Sequence, residues 1–203
     1  MTIFIVTFLA AITNVAFLVA VNALVLRNAP GTPGLLRPAS VLAACGVAQA
    51  EAALAGGVPD LKAAVAILMV GCVAVSVLSD VSSGYVFDAI TLSTLAATLV
   101  LSGARGEIRA AIEGAAAGGI TIGALHIVSS GRGIGLGDAK LAACIGCALG
   151  PSNAVESVGA AFVIGGVVAA FILLTRRGCR KTSVPFAPFL AAGAAIILAT
   201  VKS

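Results

Sequence analysis

An all-α fold, a polytopic transmembrane helical bundle of about eight spans, is what this sequence predicts, and three observations predict it. Hydrophobic residues fill 60% of the 203 positions and charged residues only 10%, where soluble domains carry about 25% charged residues. Mean hydropathy is +1.16, so the chain lacks the polar surface to face water and requires a bilayer as its solvent. Charged residues, prolines and glycines divide it into eight apolar stretches, roughly 3–26, 39–57, 61–79, 87–103, 108–129, 137–150, 154–175 and 184–201.

Each stretch has its own signal. The first, Ile3 to Leu26, has no Lys or Arg ahead of it and is long enough to span, so it reads as a helix rather than a secretory signal. The second is short or weak. The third stops at Asp80 and the fourth opens at Asp88. The fifth carries Gly114-Ala-Ala-Ala-Gly118, and the sixth ends in Gly146-Cys-Ala-Leu-Gly150. This G-x-x-x-G spacing lets helix backbones approach closely; in a chain with 24 glycines it recurs by composition, and it is read as packing only. With about fourteen residues the sixth suits a tilted or partial span. The seventh ends at Arg176-Arg177-Gly-Cys-Arg180-Lys181, a topology anchor, before the eighth. No linker is long enough to separate domains, so residues 1–203 read as a single integral membrane domain.

Charge sets the orientation. One set of connections holds Arg27, Arg37, Arg132, Lys140, Arg176, Arg177, Arg180 and Lys181; the other side holds Lys62, Arg105, Arg109 and Lys202. The richer side is expected to be cytoplasmic, with both termini outside. Topology also explains the basic balance, a pI of about 9.0, so no nucleic-acid partner is implied. Under this orientation Asp60 and Glu107 fall in outer loops, Glu113 and Glu156 near outer helix ends, and Glu51 in the outer half of the second span. Asp80, Asp88 and Asp138 fall on the cytoplasmic side, far apart in sequence but at one membrane depth.

That placement matters chemically. Two carboxyls around one water hydrolyse a peptide when one, ionised, takes a proton and the other, protonated, polarises the scissile carbonyl. The bland reading is that acids at helix ends are merely solvated or favour a helix N-terminus. The segment Gly131-Arg-Gly-Ile-Gly135-Leu-Gly137-Asp138-Ala-Lys140-Leu argues for more, because its glycines let a substrate backbone approach Asp138 closely. A phosphate-binding loop is the rival, but neither G-x-x-x-x-G-K-[ST] nor G-x-G-x-x-G is present.

Gly135-Leu-Gly137-Asp138-Ala-Lys140-Leu141 resembles the G-x-G-D-x-K-L signature of the type IV prepilin peptidases, membrane aspartyl proteases of the GxGD class. The likeness extends through Ala142 to Gly150, and Val184-Pro185-Phe186-Ala187-Pro188-Phe189-Leu190 is similar to the family's P-F-x-P-F-L segment. Upstream, Asp80-Val-Ser-Ser-Gly-Tyr-Val-Phe87-Asp88-Ala-Ile-Thr91-Leu92 matches its first aspartate motif in spacing and order. The resemblance covers roughly residues 64–199. It implies that Asp80 and Asp138 are the catalytic pair, with Gly135, Gly137, Lys140 and the non-catalytic Asp88 in support. It further implies leader removal from a prepilin or pseudopilin at the cytoplasmic face of the bacterial inner membrane, after a Gly in the leader. No cofactor or metal is implied. Two features depart from the pattern. Phe87 stands where the family usually has Pro, which alters the expected turn before the fourth span. The segment Arg27 to Pro38 has no cysteine and no room for the cysteine-paired domain that larger, methylating members carry, so a peptidase-only member is expected.

Among the remaining residues, Lys140 reads as a snorkelling anchor or a group tuning the field at Asp138. His126, alone in the chain, reads as a neutral imidazole packed between helices. Cys144 and Cys147 form a C-x-x-C with no second pair and read as small packing residues. Two other functions compete with the peptidase. A small cation or proton transporter using Asp80, Asp88 and Asp138 predicts acids near mid-bilayer rather than at one edge. A peptidase fold that no longer cuts and only scaffolds pilus or secretion assembly is the other.

Overall fold

The computed structural model describes residues 61–130, 133–174 and 185–201. The first two predicted spans therefore lie outside the described residues. Every regular element among the described residues is a helix: α1 (Leu61–Ser83), α2 (Asp88–Ala104), α3 (Ile108–Val128), α4 (Leu136–Leu149), α5 (Pro151–Leu174) and α6 (Ala187–Val201). They fall on the last six of the eight predicted apolar stretches. Three contain segments long and apolar enough to cross a membrane, Ala64–Val81, Ile108–Val128 and Pro151–Ile172. The all-α expectation is met by these helices; the number eight is not reached among them.

The chain divides into two compact units, Met1–Ile108 and Arg109–Ser203, each taken by itself. In the first, α1 packs on α2. The buried positions Val65, Met69, Cys72, Ser76 and Ser79 recur every three or four residues and form one face of α1. The buried face of α2 is Thr91, Thr94, Thr98 and Ser102, a run of hydroxyls. Ser and Thr are small enough to let packed helices approach closely. Where α2 ends, the Glu107 N–H donates to the Ser102 carbonyl (2.9 Å) and the Gly106 N–H to the Gly103 carbonyl (3.0 Å). With Gly106 at φ +75°, this is a Schellman cap that satisfies the last carbonyls of the helix.

In the second unit α4 is buried nearly all round: Asp138, Ala139, Leu141, Ala142, Cys144, Ile145, Gly146 and Cys147 are all inside. A helix surrounded by neighbours needs small residues where they touch. Gly114 and Gly118 of α3 lie directly against the carbonyls of Gly146 and Ala142, where any Cβ would collide with backbone. Both G-x-x-x-G segments thus contribute to close packing, as the sequence reading held. Helix α5 packs on both α4 and α6. Gly193 of α6 meets the Ser157 carbonyl, and Gly165 of α5 meets the ring of Phe189. Phe186 caps the entry to α6, accepting the Leu190 N–H at 3.2 Å, and its ring stacks between Phe162 and Phe189 at centroid distances of 5.1 and 6.1 Å. Outward, α3 exposes Ile112, Ile120 and Ile127, and α5 exposes Val155, Val163, Val167, Phe171 and Leu174. Apolar faces this long suit lipid, not water.

Candidate active site

Asp80 lies in the last turn of α1, half-buried. The helix does not stop at the acid, as the sequence reading had it, but runs on to Ser83. Gly84 ends it, at φ +71°, with its N–H donated to the Asp80 carbonyl at 2.8 Å. The neighbouring Ser79 hydroxyl donates to the Tyr85 carbonyl, so the connection from α1 to α2 is tied back beside Asp80. Asp88 is the first residue of α2 and is exposed. Thr91 is fully buried, and its hydroxyl lies 3.3 Å from the Asp88 carbonyl.

Phe87, the residue in place of the family's proline, precedes α2 with φ −82° and ψ 125°. Proline fixes φ near about −65° and would sit there with little adjustment. The backbone turn is therefore close to the one proline gives, and the substitution changes the side chain rather than the path of the chain. This corrects the expectation of a different turn.

Asp138 belongs to the second unit and is 8% exposed. It is the third residue of α4, after the cap residue Gly135, whose extended backbone (φ −79°, ψ 154°) turns the loop into the helix. The Gly135 N–H donates to Oδ2 of Asp138 at 3.0 Å, which is the acid half of a capping box. Gly135 has no side chain to answer it, so the Asp138 N–H donates to the Gly135 carbonyl instead, at 3.2 Å. Gly135 is exposed and Gly137 half-buried, as is Lys140 one turn into the helix. The four N-terminal N–H groups of a helix favour negative charge, and the C-terminal carbonyls disfavour it. Asp138 stands at the first kind of end and Asp80 at the second.

One residue of this site was underrated from sequence. The His126 imidazole, three positions from the end of α3, bonds through Nδ1 to the Ile134 carbonyl at 2.6 Å. It holds the glycine-rich loop just ahead of Asp138. The available signal was an ionisable ring near the end of a span that leads straight into that loop. Cys144 and Cys147 are buried in α4 at 1% and 3% exposure, in keeping with packing residues. Among the described residues no three His, Cys, Asp or Glu side chains are grouped to hold a metal ion.

The profile of the type IV leader peptidase family matches residues 66–170. A "Prepilin leader peptidase/N-methyltransferase" of Burkholderia pseudomallei (strain K96243) is 35% identical over 127 residues, 59% of this chain and 40% of that protein. One of Bacillus subtilis (strain 168) with the same name is 40% identical over 88 residues, 41% of this chain and 34% of that protein. The chain thus spans well under half the length of these relatives. No solved structure matches it.

Proposed function

The chain belongs to the type IV leader peptidase family, and from that premise we propose that it is a membrane aspartyl endopeptidase that removes the leader from prepilins or pseudopilins. The observation that carries this reading is Asp138: a buried carboxyl at the opening of a helix, held by the Gly135 N–H behind a loop of glycines, inside the matched region. A carboxyl in that position accepts hydrogen bonds without side-chain bulk beside it, which suits a base facing a peptide backbone.

In this reading Asp138 is the carboxylate that takes the proton of the attacking water. Asp80, near the carbonyl end of α1, is the carboxylic acid that polarises the scissile carbonyl. The water oxygen bonds to the carbonyl carbon, the C–N bond then breaks, and the proton passes to the departing amine. Gly135 and Gly137 leave room for the substrate backbone, Lys140 sets the local field, and Asp88 plays no chemical part. The substrate carries a basic leader and an apolar helix, docks from the bilayer, and is cut after a Gly just before that helix. The enzyme is a multi-pass protein of the bacterial inner membrane with about eight spans and its site at the cytoplasmic face. Methyl transfer, the second activity in the relatives' names, forms no part of the proposal.

The test is cleavage of a synthetic prepilin-like peptide by the purified chain in detergent. Cutting after the leader Gly, insensitive to a chelator and lost in a folded Asp138→Asn variant, is expected. A folded wild-type chain that cuts no leader-bearing substrate overturns the peptidase reading and leaves the scaffolding and transporter readings. Loss of cutting on chelation, restored by added metal, overturns the aspartyl mechanism.

A further inference from the structure

The hydrogen bonds made by His126 and by Asp138 meet on a single peptide group. The Ile134 carbonyl that accepts from Nδ1 of His126 (2.6 Å) and the Gly135 N–H that donates to Oδ2 of Asp138 (3.0 Å) are the two ends of the peptide bond between residues 134 and 135. A peptide bond is planar and stiff. Fixing its carbonyl fixes the direction of its N–H. A donor at the carbonyl also polarises the group and strengthens the bond its N–H makes.

We propose that His126 is a positioning residue that holds the Ile134–Gly135 peptide so that its N–H aims at, and strengthens its hold on, the Asp138 carboxylate. Resting on the peptidase reading, the inference adds a third residue to the site, one that never touches substrate. The need for it follows from the loop. Gly133 and Gly135 flank Ile134, and neither supplies a side chain to restrict that peptide. Without an outside tether the peptide is free to rotate, and the bond from the Gly135 N–H to Asp138 loses its fixed direction. His126 is well placed to supply the tether. It sits in the last turn of α3, a helix locked against α4 through Gly114 and Gly118, so the tether is anchored to the element that Asp138 itself begins.

The carbonyl is an acceptor, so Nδ1 must carry a hydrogen. Asparagine places its amide nitrogen close to where Nδ1 stands, and glutamine places its amide nitrogen near Nε2. This separates tethering from bulk. In the full chain in detergent, nitrogen NMR of the labelled imidazole should show the proton on Nδ1. The Gly135 amide should exchange slowly in the wild type, at least about tenfold faster in His126→Leu, and slowly again in His126→Asn but not in His126→Gln; about tenfold corresponds to one ordinary hydrogen bond. With the prepilin-like peptide, His126→Leu should lower kcat about tenfold with KM little changed, and His126→Asn should restore it. An imidazole with a bare Nδ1 overturns the proposal, as does Gly135 exchange that ignores residue 126. Loss of activity in every variant with no recovery in His126→Asn also overturns it, since a purely structural histidine behaves that way. A wild-type chain that fails to cut sinks the peptidase reading, while the tautomer and the Gly135 exchange still decide the tether.

Discussion

At the scale of single residues, the reading turns on two carboxyls acting as one unit. Asparagine at either position keeps the size of the side chain but cannot pass a proton. Asp80→Asn and Asp138→Asn should each lower kcat by at least about 10³-fold, and the double variant should be no worse than either single one, because residues that act together lose their contribution together. Asp88→Asn gives up the favourable charge at the start of α2, about 0.3–1 kcal/mol of helix stability, and should keep most of the activity. Cleavage rates of the folded variants check all four. An inactive Asp88→Asn would mean that the wrong partner has been chosen for Asp138. The place of Asp138 in the first turn of a helix was legible in the sequence, because glycines before an acid at the head of an apolar run mark where a helix opens. The end of α1 was not. A charge at Asp80 read as a boundary, but an acid within a helix costs little at an interface, and the chain turns only at Gly84, where φ is +71°. His126 was legible as an unusual residue and not as a tether, since its partner is a backbone carbonyl eight positions on and backbone carbonyls carry no mark in a sequence.

At the scale of elements, the contact of α3 with α4 sets the ground on which Asp138 stands. A Cβ at Gly118 would run into the Ala142 carbonyl, and backbone cannot yield as a side chain can. Gly118→Val should therefore cost about 1–3 kcal/mol, typical of overpacking, and lower the melting temperature in detergent. Gly123 lies on the same helix with nothing within 4 Å of its Cβ position, and Gly123→Ala should be neutral or stabilising by up to about 1 kcal/mol. Equal melting temperatures for the two variants would remove the close-approach argument. The sequence showed that small residues would pack; which helix receives them was not readable, because the G-x-x-x-G spacing marks a face and not its partner. The length of α4 was legible, and it has a consequence. Its 14 residues rise about 21 Å, at about 1.5 Å each, short of a hydrocarbon core of about 30 Å. A helix this short does not cross that core unaided. The exposed glycines at 133 and 135 leave the chain ahead of Asp138 without side-chain bulk.

At the scale of the whole molecule, the proposal stands on orientation, because a leader that stays in the cytoplasm meets Asp80 and Asp138 only if both lie on that side. Basic residues carry that expectation: Arg176, Arg177, Arg180 and Lys181 cluster in the sequence, and in the proposed topology Arg132, ahead of Asp138, shares their side. Cytoplasmic loops hold such excess because basic loops resist translocation. On the proposed outer side stand Arg105, in the connection between α2 and α3, and Arg109, in the first turn of α3, paired with Glu107 and Glu113 (2.7 Å) respectively. Two exposed positions bracket the question: Tyr85, 72% exposed between α1 and α2, and Glu107, exposed between α2 and α3. In a background without the native cysteines, Glu107→Cys in intact cells should react with a membrane-impermeant thiol reagent, and Tyr85→Cys should react only after the membrane is opened. Glu107→Cys also removes the acid paired with Arg105, and the pattern should hold if the cluster at 176–181 dominates. Labelling of Tyr85→Cys from outside would put Asp80 and Asp88 on the wrong face of the membrane for a cytoplasmic leader, and the proposed substrate encounter would fail with it.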